Sequence, residues 1–350
     1  MSSRPRLAIN RTQDIRLRRI GLSTLSFPLS ADYNSRLHQF AVFTAASTLF
    51  LLLAGALVTS NDAGLAVPDW PLSFGSLMPP MVGGIFNEHG HRMVATFVGM
   101  LTIGLAAWLW RSKQRRWMRR LGFAALGLVV VQGVLGGITV LFYLPAAVSV
   151  AHAFTAQLFF ATVVSLAVFT SRWWHTTDAL LPQASHSPLA IPYNLHILSA
   201  GVVGSIFVQL ILGAAYRHKI MGILPHAVWA GVVALLIGWT AHTVSSAGGG
   251  QVRVLRRWVR ILSALFGVQV LLGLGAWWAI VATRDFPQPM PVMVWTSVAH
   301  VVTGAATLAT AVILMLCCFR LFPTAHEVRI SSAAADEFRV LKTVPREQAQ

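Results

Sequence analysis

The sequence predicts an all-α integral membrane protein with eight transmembrane helices, arranged as two tandem four-helix bundles. Three observations carry that expectation. The chain of 350 residues is 55% hydrophobic and only 11% charged, with a mean hydropathy of +0.65, a balance that suits a bilayer. Eight apolar stretches each approach the roughly 20 residues that a helix needs to cross the hydrocarbon core. Basic residues gather between alternate stretches, the pattern that sets topology in membranes.

The elements follow in order. Residues 1–37 form a tail carrying Arg4, Arg6, Arg11, Arg16, Arg18, Arg19 and Arg36. Apolar stretches then cover 38–60, 91–110, 121–141 and 150–171, and after a polar, Pro-containing linker at 172–192 they resume at 193–214, 223–244, 261–281 and 294–319. Residues 320–350 form a second tail. The turn "RSKQRRWMRR" and the segment "RVLRRWVR" are strongly basic, whereas the alternate connections hold only Arg217, Lys219 and Arg284. Both termini are therefore expected in the cytoplasm, with four loops outside.

The formal charge of +16 follows this topology and gives no reason to invoke a nucleic acid. The Arg-rich leading tail, whose acidic residues are Asp14 and Asp32, suits a bacterial inner-membrane protein; a mitochondrial transit peptide, and so the mitochondrial inner membrane, is the alternative. Cys317 and Cys318 are adjacent at the inner end of the last helix, where a bridge is both strained and redox-disfavoured. They read as small apolar residues.

An internal repeat underlies the two bundles. The third, fifth and seventh helices contain "QGVLG" (Gln132 to Gly136), "QLILG" (Gln209 to Gly213) and "QVLLG" (Gln269 to Gly273), and the first offers a weaker "LLLAG" (Leu51 to Gly55). After each, the chain crosses an outer loop and enters the next helix near His91, His152, His226 or His300. The glycines, including Gly133, Gly136 and Gly137, suit close approach of helix backbones. The glutamines suit helix-to-helix hydrogen bonds.

Histidine inside a spanning helix is rare and usually faces the bundle interior. Here one lies near the outer end of every even helix, at similar depth. Paired within each unit, His91 with His152 and His226 with His300, they could clamp a haem iron axially. Zinc would want four ligands converging on one point. His38, His175, His186, His218, His242 and His326 fall at helix edges or in connections and read as interfacial or solvated. His89 is rotated about 200° from His91 on a helix and cannot share its face.

Only the first of the four histidine helices carries charge beside its histidine. The residues three before are Glu88, Ser149, Ile223 and Ser297, and those just after are Arg92, Ala153, Ala227 and Val301. Glu88 shares a face with His91 and with Arg92. Two uses fit: a Glu88–Arg92 salt bridge at the helix end, or a carboxylate that takes protons or stabilises positive charge on a macrocycle substituent. The preceding outer segment is the longest, and its Gly, Pro and Trp suit a cover over a cavity.

The pattern "EHGHR", the preceding "GLAVPDWP", the later "LPHAVWAG" and the four even-helix histidines together resemble the haem A synthase family over about residues 38–319. That resemblance implies an oxidoreductase that converts the C8 methyl of haem O to a formyl group by successive hydroxylations with oxygen from water. It also implies a haem b cofactor in the second half, haem O synthase and a terminal cytochrome oxidase as partners, and an electron acceptor it does not name. Carried over, 38–171 holds the substrate-haem site, framed by His91 and His152 with Glu88 as catalytic carboxylate; the position of Arg92 beside them further suggests that it binds the substrate haem, orienting the site or a propionate. The second unit, 193–319, holds haem b between His226 and His300. Many relatives also carry a cysteine pair in the first outer loop; this chain has none there. The competing expectation is a di-haem b-type electron-transfer cytochrome that leaves its haems unmodified.

Overall fold

The computed structural model describes residues 33–112, 114–176, 195–246 and 252–321. Eight long helices follow in chain order: α1 Ser35–Ser60, α2 Gly83–Arg111, α3 Arg116–Leu141, α4 Ala146–Phe169, α5 Leu195–Arg217, α6 Leu224–Ser246, α7 Val252–Ala282 and α8 Pro291–Leu321. All eight are long and apolar enough to cross a bilayer. Among the described residues the only β feature is an isolated antiparallel bridge between Ser73 and Ser76. The leading tail, most of the linker and the end of the chain, with His186 and His326, lie outside the described residues.

Two helices begin about two turns earlier than their apolar stretches. α2 starts at Gly83 rather than 91, so Glu88, His91 and Arg92 all sit on helical backbone. α7 starts at Val252 rather than 261. Its first turns are amphipathic: Val252, Leu255, Val259 and Leu262 are buried, while Arg253, Arg256, Arg257 and Arg260 are exposed. Hydropathy marks where a helix meets lipid; backbone hydrogen bonding continues wherever a polar face has water to meet.

In the first half, α1 packs on α2, α2 on α3, α3 on α4 and α4 back on α1; in the second half α5 to α8 close a ring in the same order. The first ring buries Leu37, Val98, Leu105, Met118, Phe159 and Val163 at its centre. On α2, Val98, Thr102, Leu105 and Leu109 recur at the spacing of a single interior stripe. The rings share a wall in which α8 touches α1 and α4, and α4 touches α5. Ala305, Leu308, Ala311 and Val312 of α8 pack with Phe160 and Val164 of α4 in one apolar cluster. Cys317 and Cys318 are buried free thiols in that cluster.

Candidate functional site

The four histidines are seated alike, each against the glycine that the repeat places on the preceding helix. A Cβ built at Gly55 would stand 3.1 Å from the Cε1 of His91, one at Gly136 3.2 Å from that of His152, and ones at Gly213 and Gly273 2.9 Å from those of His226 and His300. These glycines make room for an imidazole, not for a helix backbone. That corrects the sequence-based expectation, and Gly133, with nothing within 4 Å of its added Cβ, shows no such contact at all.

The glutamines one turn earlier hold the rings. Gln132, Gln209 and Gln269 place their Nε2 atoms 3.2, 3.3 and 3.2 Å from Nε2 of His152, His226 and His300. On the other side of the ring, Nδ1 of His226 and of His300 donates to the main-chain carbonyl of Gln209 and Gln269, both at 3.1 Å. A carbonyl can only accept, so Nδ1 carries the proton and Nε2 presents its lone pair. Nδ1 of His91 and of His152 is buried without a hydrogen-bond partner among the described residues. Position 51 is the one place where leucine replaces glutamine.

This arrangement fits a haem. The His226 and His300 rings have their centroids 6.3 Å apart. A metal–imidazole bond of about 2 Å puts each ring centre roughly 3 Å from the metal, so two rings on one metal stand roughly 6 Å apart. The side-chain oxygens of Gln132, Gln209 and Gln269 are buried without a partner, a state buried polar groups rarely keep. Among the described residues no three His, Cys, Asp or Glu side chains group as a metal cluster.

Sequence comparison separates this arrangement from other histidine-bearing helical bundles. The family model described as cytochrome oxidase assembly protein matches residues 38–225. The chain belongs to that family. The match spans Glu88, His91, Arg92 and His152 and ends one residue before His226. Curated relatives include the heme A synthase of Alkalihalophilus pseudofirmus, 37% identical over 39% of this chain and 46% of the relative. Those of Shouchella clausii and an Exiguobacterium species are 30% identical over 52% and 59%, and 26% identical over 70% and 83%. The chain thus matches about half the length of the first two relatives.

Within this family member, the charged residues of α2 organise the loop that joins α1 to α2. Glu88 is only 3% exposed; its Oε2 accepts the Val67 N–H at 2.8 Å and its Oε1 accepts Arg92 Nη2 at 2.6 Å. Arg92 Nη1 donates to the carbonyls of Asp69 and Leu72, both at 2.8 Å, and Nη2 also to that of Val67 at 3.2 Å. His89 Nδ1 meets Ser73 Oγ at 2.8 Å. Asp69 turns the loop by accepting the N–H groups of Phe74 and Gly75, which hold its carboxyl below the usual value of 3.8. The indole of Trp70 occupies the space where Gly137 of α3 lacks a side chain.

Among the histidines read as interfacial or solvated, His175 differs from the expectation: it is buried and meets Tyr33 edge-on. His38 places Nδ1 within hydrogen-bonding distance of the Ala167 carbonyl and the Thr170 hydroxyl. His196, to which the sequence drew no attention, packs against Phe319. His218 is half-buried, and burial together with Arg217 holds it below the usual 6.5.

Proposed function

We propose that this chain is a haem A synthase that oxidises the C8 methyl of haem O to the formyl of haem A. The observation that carries the reading is the family match across the segment that contains Glu88, His91, Arg92 and His152, together with relatives named heme A synthase. Residues 38–171 form the substrate-haem unit, 172–192 the linker and 193–319 the haem b unit, between tails at 1–37 and 320–350.

His91 and His152 frame haem O. Glu88, with both oxygens already occupied by Val67 and Arg92, acts as a fixed anion that stabilises positive charge developing at the ring methyl while oxygen enters from water. Arg92 holds that carboxylate in place and pins the outer loop through the carbonyls of Val67, Asp69 and Leu72. His226 and His300 would hold haem b, which when bound would carry the two electrons removed in each hydroxylation toward an electron acceptor. The substrate arrives from haem O synthase, and the product leaves for a terminal cytochrome oxidase.

The membrane is the bacterial inner membrane, with both termini in the cytoplasm. Basic residues on the loop between α2 and α3 and at the start of α7 support this orientation. Cysteines introduced as Ser76→Cys and Gly222→Cys should react with an impermeant thiol reagent on intact cells; labelling only after lysis would reverse the topology. The function itself is tested by extracting and separating the haems of the purified protein. Haem B with haem O or haem A is expected, whereas haem B alone would point to an electron-transfer cytochrome.

A further inference from the structure

We propose that Arg217 and Lys219, at the junction of α5 and α6, bind the two carboxylates of the tetrapyrrole held between His91 and His152, so that the second ring completes the first ring's site. This inference rests on the reading of His91 and His152 as the substrate-haem site.

Four cations lie on the outer side among the described residues: Arg92, Arg217, Lys219 and Arg284. Arg92 pairs with Glu88 and Arg284 with Asp285. Neither Arg217 nor Lys219 has a carboxylate within ion-pair distance among the described residues. Asp62 forms no ion pair with Arg217, and Asp69 is engaged by the amides of Phe74 and Gly75. Arg217 makes one hydrogen bond, from Nη2 to the Thr59 carbonyl at 2.6 Å. That bond ties the end of α5 to the end of α1, across the boundary between the rings.

That tether lies one helical turn beyond Gly55, the residue that seats His91. His152 sits six residues into α4, about 9 Å along the axis from its outer end. A macrocycle ligated there has its apolar ring among the helices and needs its carboxylates at the aqueous edge, where Arg217 and Lys219 have no ion-pair partner among the described residues. The arginine fork and the lysine ammonium both suit carboxylate oxygens. Arg92, whose donors go to Glu88 and to loop carbonyls, serves the cover and not the ligand.

The test uses the full-length protein, with haem b retained, in nanodiscs of neutral lipid, titrated with haem O and with haem O dimethyl ester. Wild type should bind the free acid at least tenfold more tightly than the ester. Lys219→Gln, which leaves the Thr59 tether intact, should reduce that preference; adding Arg217→Gln should abolish it, and Arg217→Lys should restore part of it. An unchanged haem b spectrum shows that the variants fold. Equal wild-type affinity for acid and ester, lost together in His152→Ala, would overturn this inference alone. An undiminished preference in the double variant would do the same, as expected if the cations serve phospholipid headgroups instead. No haem O binding, or binding unaffected by both His91→Ala and His152→Ala, would defeat the substrate site and this inference together.

Discussion

The two rings of the molecule share a scaffold and differ in what covers it. In both, a histidine in the first turns of each even helix rests on a glycine of the helix before it. The second ring adds little else: its imidazoles are held by Gln209 and Gln269 from both sides, and its α5–α6 and α7–α8 connections are short. The first ring replaces one glutamine with Leu51 and adds Glu88, Arg92 and a long α1–α2 loop pinned through them. The shared seats suit holding a ligand; the added anion and cover suit changing one.

That contrast can be broken most severely at the second ring. His226→Ala or His300→Ala should abolish the haem b absorbance while leaving helix content and haem O binding at the first ring intact. A full haem b spectrum in both variants would undo the pairing.

Arg92→Ala comes next in size. It strands a nearly buried Glu88 and frees three loop carbonyls, and removing one partner of a buried ion pair usually costs about 3–5 kcal/mol. The expected readouts are a lower unfolding temperature and rapid proteolysis within 61–82. Wild-type stability with an intact loop would show that the cover is held by something else.

Gly213→Ala and Gly273→Ala should have smaller effects. Each new methyl would meet an imidazole at 2.9 Å, against 3.1 and 3.2 Å at Gly55 and Gly136. Overpacking of this kind costs about 1–3 kcal/mol, so haem b affinity should fall roughly tenfold or more. Haem O affinity should fall less in Gly55→Ala and Gly136→Ala. The reverse order would mean that the two rings seat their histidines differently.

Much of this was legible in the sequence. Apolar runs located all eight helices, and a repeat in residue type located the four histidines, because both signals are periodic along the chain. The starts of α2 and α7 were hidden since each begins with polar or amphipathic turns. The role of Gly136 and its equivalents was misread because a glycine that admits an imidazole and one that admits a backbone look the same in sequence. The clamp made by Arg92 was invisible for another reason: its acceptors are the main-chain carbonyls of Val67, Asp69 and Leu72, which any residue supplies.

The central claim is that Glu88 does chemistry and does not merely hold the loop. Glu88→Gln keeps the shape and an oxygen to accept from Val67 or Arg92, and removes the charge. The decisive measurement is haem A formed per mole of folded Glu88→Gln protein, with folding and haem O occupancy measured on the same sample. The account predicts normal occupancy and a fall in turnover of about a hundredfold, the scale of a lost positioned charge or base, with haem O or a hydroxylated intermediate accumulating. Near wild-type haem A output per folded molecule, with any deficit confined to protein yield, would contradict it and leave Glu88 as one half of a salt bridge.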